Sequence, residues 1–293
     1  MAGSMAKTAA AAFNIFLNGL TPSGSERSKA SSHRESIMSK LDAKFGVYRM
    51  FESGSFKHGT GVSGHSDVDF FVSLKSNRPS LSDSTLSAVR SALQERFPYT
   101  HIHVSRPAVV LEFGQGYERV EVIPAYAKER VTDKEVMKFN IPGVVDEWME
   151  STPEAHLSYV NSCNSNPQGG AKELARLAKA WKYYRNVPIS SFYLEMRAAQ
   201  YMDDETFIDY AQDLKRFLDR LQGHELASMN DPTGYTGRIH ACSSDVKRAD
   251  ALSKLDTAVT RATKALDEHK SGNERKAFEW WELLFNGEFP AYY

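Results

Sequence analysis

The sequence predicts an α+β protein in which strands and helices are mixed in the first half and helices alone make up the second half. Apolar runs of strand length alternate with helical patterns up to about residue 152. From Pro153 onward, apolar side chains recur at the three- and four-residue spacing of helices. The expected divisions are an N-terminal segment over 1–24, whose "GSMA" resembles a cloning remnant, a mixed core over 25–152 and a helical lobe over 153–293.

In chain order, the mixed core is predicted to contain a helix, a strand, a second helix and three more strands. These are a helix over 25–45, the strand that starts after Asp67, a helix over 82–97, and strands over 101–105, 108–113 and 119–126. Gly114 and Gly116 separate the last two strands and predict a hairpin between them.

The second half is predicted to contain helices over 169–185, 245–269 and 275–285. In the first of these helices Leu174 and Trp181 mark an apolar stripe. The opposite face carries three basic side chains, namely Lys172, Arg176 and Lys179. Residues 228–238 are predicted to form a mobile loop.

The composition argues against several classes of protein. A formal net charge of -1 is unlike that of a general nucleic-acid binder, so no stable nucleic-acid partner is expected. Cys163 and Cys242 are far apart in the sequence, which favours two free thiols over a disulfide framework or a zinc site. Because no apolar run is long enough to span a bilayer and no signal peptide is recognisable, we expect a cytoplasmic protein without a membrane partner.

Two aspartates stand at the start of the first apolar strand. Asp67 and Asp69 are two residues apart, and side chains at that spacing point to the same face of a strand. Two neighbouring carboxylates repel each other unless a positive charge lies between them. A divalent cation such as Mg²⁺ prefers carboxylate oxygens and is the natural candidate. The alternative is a solvated strand end.

A phosphoryl-transfer site needs a turn that holds phosphates and a third carboxylate beside this pair. Gly54 and Ser55 can form such a turn, because glycine permits close approach and serine adds a hydroxyl, although Gly-Ser is also common in ordinary turns. Glu121 in "VEVIPAY" is the candidate third carboxylate, and Glu112 in "VVLEF" is its competitor. Glu121 could instead pair with Arg119 on the same face of its strand.

The order of these motifs resembles the DNA polymerase β-like nucleotidyltransferases. The segments "SGSFKHGTGVSGHSDVDFFVSL", "VEVIPA" and "LARLAKAW" followed by "PISSFYLE" resemble, more narrowly, the bacterial cGAS/DncV-like group, which makes cyclic oligonucleotide second messengers. The resemblance covers roughly residues 25–290. It implies a polymerase β-like nucleotidyltransferase core with a helical lobe that completes the nucleotide-binding cleft.

By position, the resemblance also implies roles for the motif residues. Gly54 and Ser55 would bind the triphosphate, and Asp67 and Asp69 would bridge two Mg²⁺ ions, for which Mn²⁺ can substitute. Glu121 stands where the family usually has an aspartate and would be the third catalytic and metal-binding carboxylate.

In the helical lobe, Lys179 and Ser191 match the positions that grip the phosphates in the family. For Lys179 the alternative is an ordinary solvated basic face. "SCNSNPQGG" contains three asparagines whose amides can read a base edge, although asparagine is also common in loops. We assign nucleotide binding to Asn166, which Pro167 biases towards an extended backbone.

The predicted function is the Mg²⁺-dependent synthesis of a cyclic di- or trinucleotide from ATP and other nucleoside triphosphates, with release of pyrophosphate. By resemblance, the product would act in bacterial anti-phage signalling through an effector protein that senses it. One alternative is a transferase that adds nucleotides to RNA or to a small acceptor. The other is an inactive nucleotide-binding interaction module.

Overall fold

The structure is a computed structural model that describes residues 5–24, 28, 32–65, 67–116, 118–131, 136–144, 147–165 and 169–293. It contains two compact units. The sheet unit comprises Pro22–Ser158 and Thr233–Gly237, and the helical unit comprises Met1–Thr21, Tyr159–Pro232 and Arg238–Tyr293.

The strands and helices are numbered here in chain order. The strands are β1 (Met5–Ala6), β2 (Val47–Ser53), β3 (Val68–Leu74), β4 (His101–Ser105), β5 (Ala108–Phe113), β6 (Glu118–Val131), β7 (Val136–Pro142), β8 (Trp148–Ser151), β9 (Met229–Asn230), β10 (Arg238–Ile239) and β11 (Ala291–Tyr292). The helices are α1 (Ala9–Leu20), α2 (Arg34–Phe45), α3 (Gly54–His58), α4 (Ser82–Arg96), α5 (Pro153–Asn164), α6 (Ala171–Tyr184), α7 (Ser191–Asp203), α8 (Tyr210–Gly223), α9 (Asp245–Lys270) and α10 (Glu274–Leu284).

A seven-stranded mixed sheet forms the centre of the sheet unit. Its main path has the order β2-β3-β6-β5-β4. The β3 and β6 strands are parallel, whereas β2 with β3, β5 with β6 and β4 with β5 are antiparallel. The long β6 strand continues beyond this path and pairs with β7, which in turn pairs with β8. The sheet therefore brings β3 and β6, which carry the predicted carboxylates, side by side.

Alternation along β3 separates the two faces of the sheet. Phe70 and Val72 are buried on the face that packs against α2 and α4, whose Leu41 and Leu86 belong to the same apolar cluster. Phe71 points to the opposite face and lies in a second, smaller cluster with Ala125, Phe139 and Ile141. Asp69 is two residues before Phe71 and shares this second face, which the two main helices leave uncovered.

The N-terminal segment belongs to the helical unit. Phe13 and Phe16 of α1 are buried and contact Phe289 with ring centroids 5.0 and 5.3 Å apart, and Phe13 also contacts Trp281 at 5.1 Å. In addition, β1 pairs in parallel with β11. The pattern of the sequence predicts a separate segment over 1–24, whereas the aromatic cluster joins α1 to the C-terminal residues in one unit that includes the chain up to Thr21.

Most predicted elements coincide with elements of the structure. The helix and strand predictions over 82–126 and the hairpin between β5 and β6 are confirmed. Within the first predicted helix, Ser28 is helical, a turn follows at Ser32 and His33, and α2 begins at Arg34, while 25–27 and 29–31 lie outside the described residues. The predicted loop over 228–238 contains β9 and the start of β10, which pair because Met229 and Ile239 are buried.

Among the residues that the structure describes, no helix has the combination of length and apolar character that crossing a bilayer requires.

Candidate active site

Strand register brings the predicted carboxylates together on one face of the sheet. Asp69 of β3 is in register with Glu121 of β6 on one side and with Ser53 of β2 on the other. In-register residues on neighbouring strands point to the same face, and Asp67, two residues before Asp69, shares it. Three acidic side chains therefore meet at the N-terminal end of β3, as the motif spacing predicts.

Glu121, and not its competitor Glu112, lies beside Asp69. Glu112 is on β5, one strand further away, and its register partner on β6 is Arg119. Its carboxylate contacts the ring of His101, with Nδ1 and Oε2 2.9 Å apart. That hydrogen bond lowers the pKa of Glu112 below its usual range. The geometry therefore favours Glu121 as the third carboxylate of the site.

Arg119 supplies the positive charge that the acidic cluster requires. Its Nη2 donates to Oε1 of Glu121 at 2.8 Å, and its Nε lies 3.4 Å from Oδ2 of Asp67. The pairing of Glu121 with Arg119, considered from the sequence alone, is therefore present. One guanidinium bridges two carboxylates that would otherwise repel each other across neighbouring strands.

Gly54 is required by the position of Asp69. A Cβ atom at residue 54 would lie 1.8 Å from Oδ2 and 2.5 Å from Cγ of Asp69, and the φ angle of Gly54 is +62°. Residues other than glycine are excluded at position 54 for two reasons. The Asp69 carboxylate fills the space that a Cβ atom would need, and the left-handed backbone is strained for every residue that has a Cβ atom. The backbone turn at the start of α3 is thus in close contact with the carboxylate.

The hydroxyls around this turn complete the site. Ser55 is half-buried in the first turn of α3, and its carbonyl accepts a hydrogen bond from the backbone N–H of Thr60 at 2.9 Å. Ser53 is buried, and within the described part of the chain its Oγ has no hydrogen-bond partner. Ser53 is not among the predicted site residues, since only its register with Asp69 marks it as one.

The site has the chemistry that divalent cations prefer. Asp67, Asp69 and Glu121 supply carboxylate oxygens from adjacent positions, and each side chain is only partly exposed. Their negative charge already attracts the Arg119 guanidinium, so the local field favours a cation. The residues present therefore fit Mg²⁺.

Lys179, predicted to grip the phosphates, is buried in the helical unit. Its side chain is 1% exposed, and its Nζ lies 2.5 Å from Oε2 of Glu195, which is 3% exposed. The α6 helix is packed against α1, α7 and α8, so its predicted polar face is covered as well. The alternative of a solvated basic face is wrong for Lys179, because neighbouring helices surround α6.

Lys182, one turn after Lys179, contacts the predicted phosphate-binding serine. Its Nζ lies 2.5 Å from the Oγ of Ser191, and the hydroxyl of Tyr183 is 3.2 Å from the same oxygen. Lys182 and Ser191 are both half-buried. Lys182 is not among the predicted site residues, although "AKAWK" offers two lysines three residues apart on a helix.

Of the asparagines before α6, Asn164 has a described contact, whereas Asn166 is not described. Asn166, assigned to nucleotide binding, lies outside the described residues, as does Pro167. The Oδ1 of Asn164 accepts a hydrogen bond from the backbone N–H of Lys172 at 3.0 Å, in the first turn of α6. Asn164 therefore serves as a structural cap for the helix.

Comparison with known proteins identifies the family of the chain. The Second Messenger Oligonucleotide or Dinucleotide Synthetase domain matches residues 7–164, which is more than half of the chain. The chain therefore belongs to this family, the bacterial cGAS/DncV-like nucleotidyltransferases. A curated relative from Bacillus cereus strain VD146, described as a probable cyclic nucleotide synthase, is 23% identical over 220 residues. That match covers 72% of this chain and 66%, just under two thirds, of the relative.

Solved structures share the whole fold. CdnC of E. coli MS115-1, solved in complex with HORMA-deltaN, has a TM-score of 0.73 at 16% identity, over 96% of this chain and 98% of that one. The cyclic AMP-GMP synthase DncV of Vibrio cholerae, solved with the linear intermediate 5' pppA(3',5')pG, has a TM-score of 0.62 at 14% identity. That match covers 96% of this chain and 86% of DncV. At these identities the likeness establishes the fold, namely a polymerase β-like mixed sheet followed by a helical part.

Proposed function

We propose that this protein joins two or three nucleoside triphosphates, ATP among them, into a cyclic oligonucleotide in a Mg²⁺-dependent reaction that releases pyrophosphate. The observation that carries the proposal is the register of Asp69 with Glu121 beside Asp67, in a chain of the second-messenger synthetase family. The related CdnC has been solved with ATP, and DncV with a linear dinucleotide intermediate. Both relatives support nucleoside triphosphates as the substrates.

The residues of the turn would bind the triphosphate. Gly54 and Ser55 begin α3, where backbone N–H groups lack partners within the helix and can donate to phosphate oxygens. Only glycine leaves room for this backbone beside Asp69. Ser55 would add a hydroxyl donor, and the buried Oγ of Ser53 would be a second donor on the same face of the sheet.

The carboxylates would hold two Mg²⁺ ions and orient the attacking ribose hydroxyl. Asp67 and Asp69 would bind both ions, and Glu121 would lie nearest the hydroxyl. When bound, Mg²⁺ supplies charge stabilisation at the attacking and leaving oxygens of an in-line displacement at the α-phosphate. Arg119 would then yield its place between Asp67 and Glu121, because a cation of higher charge interacts more strongly with the same oxygens.

Lys182 and Ser191 are our candidates for phosphate contacts in the helical unit. The close approach of Nζ to Oγ presents an ammonium group and a hydroxyl together, which is a suitable pair of donors for a phosphate oxygen. Lys179 would instead keep this helix in place through its buried ion pair with Glu195. For Asn166 we retain the assignment to base recognition as a proposal.

The function is tested by incubating the purified protein with labelled nucleoside triphosphates and Mg²⁺, without any acceptor. The proposal predicts a phosphatase-resistant product whose mass is that of a cyclic di- or trinucleotide. The doubly substituted protein with Asp67→Asn and Asp69→Asn should fold and give no such product. A product that forms only when RNA is added would instead identify a tailing enzyme, and binding without any product would identify an inactive module.

We further propose a cytoplasmic role in anti-phage signalling, in which a separate effector protein senses the cyclic product. This role rests on the family alone. It predicts that cells expressing the protein with its genomic neighbours resist phage infection, and that the substitutions at Asp67 and Asp69 abolish this resistance.

A further inference from the structure

A second cluster of metal-binding side chains lies on the hairpin formed by β4 and β5. His101 and His103 are two residues apart on β4, so their side chains share one face of the strand. Glu112 of β5 is the register partner of His101 and shares that face. One potential ligand atom from each of these three residues lies within 4.8 Å of the others.

Contacts within the cluster keep the two imidazoles and the carboxylate close to one another. The rings of His101 and His103 are stacked with their centroids 5.0 Å apart, and Nδ1 of His101 is 2.9 Å from Oε2 of Glu112. Within the described part of the chain, Nδ1 of His103 is buried without a hydrogen-bond partner. A buried nitrogen without a hydrogen-bond partner lowers the stability of the folded state, so its presence in a native structure requires an explanation. A bound ligand is one such explanation.

The cluster is open to solvent and needs little movement to close around an ion. The side chain of His101 is 70% exposed and that of Glu112 is 31% exposed, so both can rotate without disturbing the core. A carboxylate and two imidazoles can therefore converge on one point beside the sheet.

The donor set identifies the class of metal. Two imidazole nitrogens and one carboxylate suit Zn²⁺ and neighbouring transition metals, whereas Mg²⁺ prefers oxygen ligands alone. We propose that His101, His103 and Glu112 bind one Zn²⁺ ion that clamps the edge strand β4 to β5. Three protein ligands leave a fourth position of the tetrahedral ion for water. This site is separate from the carboxylates that we assign to Mg²⁺.

The test is a Zn²⁺ titration of the metal-free protein in competition with a chromogenic chelator. The titration is repeated with the protein that carries Asp67→Asn and Asp69→Asn, so that Zn²⁺ bound by the acidic site can be subtracted from the measurement. The variants are His101→Ala, His103→Ala and Glu112→Gln, and the matched control is His224→Ala, an exposed histidine of the helical unit. Thermal unfolding with and without Zn²⁺ and the visible absorption of the Co²⁺-loaded protein provide independent measurements of the same site.

The proposal predicts one Zn²⁺ per chain that excess Mg²⁺ does not displace. Each of the three variants should weaken binding by about tenfold or more, and the control should bind as the parent does. Zn²⁺ should raise the melting temperature of the parent and of His224→Ala but not of the three variants, because an ion that binds the folded state stabilises it. The Co²⁺ spectrum should show the intense bands of a tetrahedral site. Equal affinity in the parent and the three variants would overturn the proposal.

Discussion

Replacement of Gly54 by alanine tests the contact between the phosphate-binding turn and the metal-binding carboxylate. The new Cβ would lie 1.8 Å from Oδ2 of Asp69, whereas real contacts of this kind are essentially never under 3.0 Å. The Asp69 carboxylate, the turn or both must therefore move by about 1 Å, and a misplacement of that size at a reacting centre costs about 100-fold in rate. The left-handed backbone adds a stability cost of roughly 1–2 kcal/mol.

A glycine in the neighbouring loop is the matched control. Gly64 has a φ angle of +72°, similar to the +62° of Gly54, but a Cβ there would meet nothing within 4 Å. Gly64→Ala should therefore lose only the part of the stability that comes from the left-handed backbone, about 1–2 kcal/mol, and keep its activity. Stability is measured by denaturant unfolding and activity by the rate of cyclic product formation.

A double substitution separates the clash from the backbone strain. In a protein that already carries Asp69→Ala, most of the atoms that the new Cβ meets are gone. Gly54→Ala should then cost less stability than it costs in the parent, and the difference is the interaction energy of the pair. If Gly54→Ala is as active as Gly64→Ala, the reasoning about the turn and Asp69 is refuted.

The other predictions concern charges that the structure buries or brings together. Lys179→Met should cost about 3–5 kcal/mol of folding free energy, because it removes the ammonium group that forms a buried ion pair with Glu195. Lys182→Ala should mainly raise the KM for nucleotide, and equal denaturation midpoints for the two variants would contradict this. Arg119→Gln should lower the Mg²⁺ concentration for half-maximal activity and increase the thermal shift caused by Mg²⁺, since it removes a competing cation; an unchanged Mg²⁺ dependence would show that Arg119 does not compete. Burial raises the pKa of Asp213 above 3.8, so its contribution to stability is complete below pH 3.8 and is lost as the pH rises through the raised pKa. Asp213→Asn should remove that loss, and unfolding free energies with the same pH profile in parent and variant would contradict it.

The carboxylates of the site could be predicted from the sequence because strand geometry is local. Asp67 and Asp69 share a face through the two-residue period of a strand, and this requires no knowledge of the rest of the fold. Glu121 was preferred to Glu112 by its motif, and the register of β3 with β6 placed it beside Asp69. The role of Ser53 depends entirely on the pairing of β2 with β3, which no local pattern specifies.

In the helical unit, by contrast, the surroundings of a site residue could not be predicted from a local pattern. Lys179 belongs to a basic face when α6 is considered alone, and only the packing of α1, α7 and α8 around this helix buries it against Glu195. The inclusion of α1 in the helical unit likewise depends on packing between parts of the chain that are distant in sequence. Phe13 and Phe16 pack against aromatic residues near the other end of the chain, at a sequence separation that periodicity cannot detect.

The central claim is that the acidic cluster at the end of β3, with Glu121 as its third member, carries the reaction. The most direct test compares the rate of cyclic product formation by Glu121→Gln with that by Glu129→Gln, an identical substitution further along β6 at a residue that pairs with Lys138. The account predicts that Glu121→Gln loses about 100-fold to 1,000-fold in rate, as expected for an electrostatic contact at a transition state, and that Glu129→Gln stays close to the parent. Equal rates for the two variants, with the fold of both intact, would contradict the account.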